Sequence, residues 1–292
     1  MFFFSFVDCG FMLDWATLLS WLCKVAAVIC VSARALRDGQ RYACAVQYIL
    51  VINPSIPSLE KFWRNDKVVR KQWNPNAETW EMADTAVIKD KTPLLVSFLL
   101  PLLNSYGPVN PPAASRPFFL GISGPQGSGK TTLATALAAT LRSHPHSLNV
   151  VAFSLDDIYL THADQVSLRG LYPDNKLVRY RGEPGTHDIG LGKRVFQSLK
   201  DQLETKLPAY DKSAFGGQGD RVDEACWEKV QGPYDIVIFE GWCVGFRALS
   251  DPVLEQKWHQ ARLSRDATVG RHPLEHLLFV NNKLKDYDTL TE

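Results

Sequence analysis

The chain has 292 residues, 46% hydrophobic and 22% charged, which excludes a disordered, collagenous or coiled-coil protein and suits one large α/β domain or two small ones. Lys plus Arg number 32 and Asp plus Glu 31, a net charge of +1, so no global field draws the protein to nucleic acid or to an anionic membrane. Any anion it binds must be held by a local constellation. The six cysteines (Cys9, Cys23, Cys30, Cys44, Cys226, Cys243) form no C-x-x-C pair, and no Asn-x-Ser/Thr acceptor is present. A reducing, cytoplasmic setting is the expectation.

Residues 1–81 differ from the rest: they hold four of the six Cys and five of the eight Trp but two of the 19 Gly. The apolar run Phe11 to Val31 raises the question of a membrane span, but Asp14 and Lys24 lie inside it. A central charge costs about 2.5–3.5 kcal/mol on insertion scales, so a weak hydrophobic helix is expected rather than an anchor. Met82-Ala-Asp-Thr-Ala reads as a natural start, which makes 1–81 an atypical extension or an over-extended gene model.

Residues 82–117 read as a helical segment and a linker. Pro93 to Asn104 is an apolar helix, interrupted or bent at Pro101, and Gly107 to Pro117 is Pro-rich. From 118 to 292 apolar runs alternate with helical patterns. Phe118–Ile122, Val150–Leu155 and Ile236–Phe239 are candidate buried strands, and Thr131–Leu141 and Ile189–Leu203 candidate helices. The alternation predicts a three-layer α/β/α fold on a parallel sheet.

The strongest motif is Gly124-Pro125-Gln126-Gly127-Ser128-Gly129-Lys130-Thr131, followed by Thr132, a complete G-x-x-x-x-G-K-[ST] match between a strand and a helix. Its glycines let successive N–H groups face phosphate oxygens, and the following helix adds its positive end. Lys130 is placed for the β- and γ-phosphates of ATP and the Thr131 hydroxyl for Mg²⁺. A guanine-reading N-K-x-D segment is not matched, since Asn282-Lys-Leu-Lys285 ends in Lys.

The second strand ends in Ser154-Leu-Asp156-Asp157-Ile-Tyr159 and the third in Phe239-Glu240-Gly241. Carboxylates at strand tips beside such a loop can accept a proton from an attacking hydroxyl or hold a metal's water shell. Arg179 and Arg181 can grip a carboxylate or phosphate in bidentate fashion. Tyr210, Lys212 and Arg221 flank the Gly-rich stretch 216–220, suited to a loop that neutralises a transferring phosphoryl group. Asp188 is read equally as a helix N-cap and as an acceptor-site residue. His272-Pro-Leu-Glu275-His276 matches a zinc-protease pattern, but Pro273 would start any helix at its own first ligand, and no zinc is expected.

Together, GPQGSGKTT, SLDDIYLT, RYRGEPGTHD, PAYDKSAFGGQGDR and FEGWCVGF resemble the D-glycerate 3-kinase family, P-loop kinases related to uridine kinase, pantothenate kinase and phosphoribulokinase. The resemblance runs from about Lys91 to the C-terminus. It implies an ATP- and Mg²⁺-dependent kinase that phosphorylates a hydroxyl of a small molecule, D-glycerate first, with Asp156 as general base and Glu240 near the metal. It also implies an acceptor site built by the segment around Arg179, Arg181 and His187. A uridine- or pantothenate-type acceptor, or a nucleotide-binding regulatory protein with little turnover, are the alternatives. No nucleic-acid, membrane or protein partner is expected. The family continues past the position of Glu292 with further strands and an arginine-bearing lid. On that comparison the sheet is expected to lack C-terminal strands, leaving one edge of the central strand uncovered and turnover weak, as from a truncated gene model.

Overall fold

The computed structural model describes residues 26–38, 41–52, 71–74, 79–82, 91–106, 116–263 and 269–291. In chain order they form β1 (Ala26–Asp38), β2 (Arg41–Ile52), β3 (Lys71–Asn74), β4 (Thr79–Met82), α1 (Thr92–Tyr106), β5 (Phe118–Ser123), α2 (Lys130–Arg142), β6 (Val150–Ser154), α3 (His162–Leu171) and α4 (Ile189–Lys200). There follow β7 (Thr205–Leu207), β8 (Tyr210–Asp211), β9 (Asp220–Arg221), β10 (Glu228–Val230), β11 (Ile236–Gly241), α5 (Asp251–Leu263), α6 (Leu274–Leu284) and α7 (Asp288–Thr291).

The main sheet runs β1-β2-β5-β11-β6. Its parallel core is β5, β11 and β6, paired Leu120↔Ile238↔Ala152 and so on along the strands. These are the three strands read from the sequence. Every residue of β11 is buried, as expected of an apolar run covered on both faces. Alternation sorts the side chains into two cores. Phe118, Leu120, Ile122, Val150, Ile236 and Ile238 pack against Leu95 and Leu99 of α1 and Leu133, Leu137 and Leu141 of α2. Val151, Phe153, Val237 and Phe239 point the other way, onto Leu191, Val195, Phe196 and Leu199 of α4. The result is the three-layer α/β/α arrangement anticipated above.

Three expectations are corrected. The edge of β5 is not open: β2 pairs with it antiparallel, Tyr48↔Ser123 through Val51↔Leu120, and satisfies backbone groups that would otherwise be exposed. The sheet is therefore mixed, with a hairpin, β1 on β2, beside the parallel core. Residues 26–31, read as the end of a hydrophobic helix, lie in β1; Val28, Ile29 and Val31 are β-branched and suit a paired strand. The remainder of Phe11 to Val31 and most of the linker lie outside the described residues; of the start read at Met82-Ala-Asp-Thr-Ala, Met82 ends β4 and residues 83–86 lie outside them. Finally, α1 continues through Pro101 as one helix, because its buried face (Leu95, Leu99, Leu102, Leu103) holds both halves against the sheet. No helix among the described residues is long and apolar enough to cross a membrane.

Candidate active site

All three parallel strands stop on one line, with Glu240 level with Ile122 and Ser154, so the loops that follow them converge. Ligands of open α/β sheets bind at this carboxyl edge. From β5 the chain enters the Gly124–Lys130 loop, where Gly127 (φ 76°) and Gly129 (φ 85°) take the left-handed conformation that side-chain-bearing residues avoid. Helix α2 starts at Lys130 with no side-chain cap, which leaves its first N–H groups available to a ligand. Ser128 Oγ is likewise buried with no partner among the described residues. Lys130 Nζ donates to the Pro125 carbonyl at 3.1 Å. Burial pulls its ammonium pKa down, with Glu240 and Asp156 opposing that shift, so the site already contains the charges that would hold a polyphosphate and its cation.

Glu240, at the tip of β11, is 5% exposed and accepts a 2.8 Å hydrogen bond from Thr131 Oγ1. A buried carboxylate beside a hydroxyl is a hard-oxygen pair. It fits Mg²⁺, which takes one or two protein oxygens and completes its shell with water and phosphate. Among the described residues no cluster of three or more His, Cys, Asp or Glu offers an all-protein metal cage, and His272–His276 is no exception.

After β6 the chain makes a single 3₁₀ turn, Leu155–Ile158, capped from both sides. Ser154 Oγ accepts from Asp156 N, and Asp157 Oδ2 accepts from Ser154 N at 2.8 Å. Asp157 is thus spent on the turn; burial pushes its carboxyl up to about 6 although that N–H opposes the shift. Asp156 is left facing the site. Its Oδ2 receives Lys212 Nζ at 2.7 Å and its Oδ1 receives the Tyr159 hydroxyl at 2.9 Å. Burial alone would raise the Asp156 carboxyl, but the Lys212 hydrogen bond and charge, with Tyr159, hold it below the usual carboxylate range. Gly241 sets how close this turn lies to β11: a Cβ there would stand 2.6 Å from Leu155 Cβ.

The remaining sequence candidates sort by distance from Asp156. Lys212 touches it, and the Tyr210 ring packs edge-on against Tyr159, centroids 5.3 Å apart. Arg181 is one step away, its guanidinium donating to the carbonyls of Gly217 (2.8 Å), Gln218 and Lys212 (3.4 Å) rather than opening to a ligand. Arg221 lies behind the site, with Nη2 on the Tyr159 carbonyl (2.8 Å) and on Asp188 (3.1 Å). Asp188 also caps α4 by accepting from Leu191 N, so both readings of that residue meet in one carboxylate. Arg179 is exposed and makes no hydrogen bond or ion pair among the described residues.

His187 is not on the surface of the site but under it. It is 4% exposed and stacked on Tyr159 with centroids 4.4 Å apart, its Nδ1 2.6 Å from the Tyr287 hydroxyl. Gly185 N–H donates to that same hydroxyl, and Nε2 on the far side of the ring is buried with no partner among the described residues. Burial depresses the imidazole pKa to about 3, with Asp156 opposing, so the ring stays neutral.

Sequence reasoning missed Tyr159, Tyr287 and Glu183. Tyr159 carried a signal, since i and i+3 eclipse on a 3₁₀ turn and three residues separate it from Asp156. Tyr287 meets His187 across 100 residues and has no local signature. Glu183, with Oε2 buried and unpartnered among the described residues and its carboxyl pKa raised by burial, lies inside the RYRGEPGTHD segment, where a lone Glu among glycines and prolines carries no pattern of its own.

No protein-family model matches the chain. An uncharacterized kinase of Schizosaccharomyces pombe is 47% identical over 183 residues, 62% of this chain and 63% of that protein. The chloroplastic D-glycerate 3-kinase of Arabidopsis thaliana is 41% identical over 143 residues, 48% of this chain and 31% of its own length. The chain thus spans less than two thirds of either relative. Among solved structures, D-glycerate 3-kinase from Cryptococcus neoformans var. grubii superposes with a TM-score of 0.62 at 36% identity, covering 68% of this chain and 69% of that one. A parallel sheet ending in a phosphate-binding loop, a strand-tip Asp-Asp turn and this likeness in sequence and structure agree: the chain belongs to the D-glycerate 3-kinase family of P-loop kinases.

Proposed function

We propose that residues 118–292 form an ATP-dependent kinase unit that transfers the γ-phosphate to a hydroxyl of a small acceptor, D-glycerate first. The observation that carries this reading is Asp156, ionised at the tip of β6 and held by Lys212 on one oxygen and Tyr159 on the other. Loop amides from Gly124 to Thr132 and the Lys130 ammonium hold the phosphates. Thr131 and Glu240 hold Mg²⁺, which when bound neutralises charge on the phosphate oxygens. Asp156 accepts the proton of the acceptor hydroxyl as that oxygen attacks phosphorus. Most of the acceleration comes from positioning and electrostatics, the norm for this chemistry.

Likeness to D-glycerate 3-kinases, 41% identical to one and 36% identical to another of solved structure, supports D-glycerate over a nucleoside as the acceptor.

The test is phosphorus NMR of the full chain with Mg-ATP and, separately, D-glycerate, uridine and pantothenate, beside a Lys130→Ala control. A phosphoglycerate signal from the wild type alone supports the reading. Another phosphorylated acceptor replaces the substrate, and ATP binding without any phosphorylated product replaces the enzyme with a nucleotide-binding regulator.

A further inference from the structure

Lys212 reaches Asp156 from a two-stranded ribbon, β8 paired with β9 through Tyr210↔Arg221 and Asp211↔Asp220. Between the strands the chain takes four left-handed residues, Phe215 (φ 49°), Gly216 (φ 65°), Gly217 (φ 92°) and Gly219 (φ 83°), a conformation the three glycines adopt freely. Backbone hydrogen bonds such as Gly219 N–H to the Ala214 carbonyl close the tip on itself, and Phe215 stacks on His162 with ring centroids 3.8 Å apart. Arg181 ties this tip to the site from the other side. Its guanidinium donates to the carbonyls of Gly217, Gln218 and Lys212 and lies 5.6 Å from the Tyr210 ring centroid. The fit is close: a Cβ on Gly219 would stand 2.5 Å from the Tyr210 ring and 2.9 Å from Arg181 Nη1.

We propose that Arg181 is a positioning residue which clips the tip of the β8–β9 ribbon and so keeps Lys212 on Asp156, rather than a residue that binds the acceptor. The proposal rests on Asp156 being the base. A guanidinium can span three carbonyls with its planar fork; a lysine ammonium at the same position keeps the charge but not the span. Loss of the clip releases Lys212 from Asp156. The other groups around that carboxyl stay: Tyr159 and Asp157 from its own turn, His187 beneath it, Lys130 at the start of α2 and Cys243 after β11. With Lys212 gone, desolvation is no longer outweighed and the Asp156 carboxyl binds its proton more tightly.

The experiment compares wild type, Arg181→Lys, Lys212→Met and the double variant by two measurements that need no turnover. One is hydrogen exchange of the peptide spanning residues 210–221; the other is the titration of the Asp156 carboxyl carbon by ¹³C NMR. Arg181→Lys is expected to speed ribbon exchange at least about tenfold and to raise the Asp156 midpoint in the same direction as Lys212→Met. The double variant should titrate as Lys212→Met does alone, because the two residues act in series. Unchanged exchange, or an unmoved Asp156 midpoint in Arg181→Lys, overturns the proposal. Acceptor kinetics add a separate decision: a raised KM with an unmoved midpoint assigns Arg181 to the acceptor instead. Absence of turnover in the wild type would sink the kinase reading and leave the titration to decide the role of Arg181.

Discussion

The neutral imidazole under the site makes the fold itself sensitive to acid, by an amount the structure specifies. His187 is fully enclosed between Tyr159 and Tyr287 and keeps its proton affinity low, near pKa 3, because burial penalises the imidazolium more than Asp156 favours it. In the unfolded chain the ring titrates near its ordinary 6.5. Above pH 6.5 both states are neutral and the residue contributes nothing to pH dependence. Below it the unfolded chain takes up a proton that the folded chain refuses, so stability falls as pH falls, by up to about 1.4 kcal/mol per unit, until about pH 3. Between pH 8 and pH 5 this amounts to about 2 kcal/mol, or roughly 4–8 °C in Tm for a domain of this size. Asp157 works in the opposite sense: its raised pKa adds stability at low pH that is lost as pH climbs through about 6. The comparison that isolates His187 is therefore wild type against His187→Asn, whose amide oxygen can still accept from Tyr287 and in which Asp157 is unchanged. The variant is expected to be less stable at pH 8, having lost the stacked ring, but to lose about 2 kcal/mol less between pH 8 and pH 5 in urea titrations. Parallel pH profiles for the two proteins would refute the assignment of a neutral buried imidazole.

Three further outcomes follow from the site. Lys130→Ala should lower kcat for acceptor phosphorylation by at least about 100-fold, as removal of one preorganised charge at a transferring group does, while the melting temperature barely moves; near-normal turnover would rule out its phosphate role. Tyr159→Phe removes the donor on Asp156 Oδ1 and should shift the acid limb of the pH–rate profile upward by about one to two units, since a hydrogen bond to a charged group contributes about 1.5–3 kcal/mol and one unit is about 1.4 kcal/mol; an unmoved limb would show that Asp156 is not the group being titrated. Glu240→Gln keeps an acceptor for Thr131 but loses the charge, so the Mg²⁺ concentration for half-maximal turnover should rise by about 10- to 100-fold at fixed ATP, and an unchanged Mg²⁺ dependence would remove Glu240 from the metal's surroundings.

The parts of this arrangement that could be read from sequence are those whose physics is local. Gly127, Gly129, Lys130 and Thr131 announce a phosphate loop because each does its work within eight residues of backbone. The three parallel strands are legible because strands buried on both faces need continuous apolar runs. The Asp-Asp turn was legible as chemistry, but not the division of labour within it: only the structure shows Asp157 capping the turn and Asp156 facing outward. Arg181 and His187 are read as acceptor residues from residue type and family likeness, and what the sequence does not show is that the Arg181 guanidinium bonds protein carbonyls and His187 Nδ1 the Tyr287 hydroxyl. Their partners, the carbonyls of residues 212–218 and the Tyr287 hydroxyl, are distant in the chain and carry no periodic signal. Residues 26–31 of β1 read differently for another reason: an apolar stretch fits either a helix or a strand until its pairing partner is known, and that partner, β2, is a separate segment.

Gly241 gives the site a fixed dimension. With no Cβ it lets the Leu155 side chain lie flush against the end of β11, so Asp156 and the carboxylate beside Thr131 are carried on two backbones in direct apposition. Neither can be shifted relative to the other without moving a strand of the sheet. The ribbon bearing Lys212 is held by side-chain contacts instead, Arg181 on its carbonyls and Lys212 on Asp156. Substitutions along it change how Asp156 is partnered, whereas a substitution at Gly241 changes the spacing itself: the seam is the datum from which both carboxylates are measured.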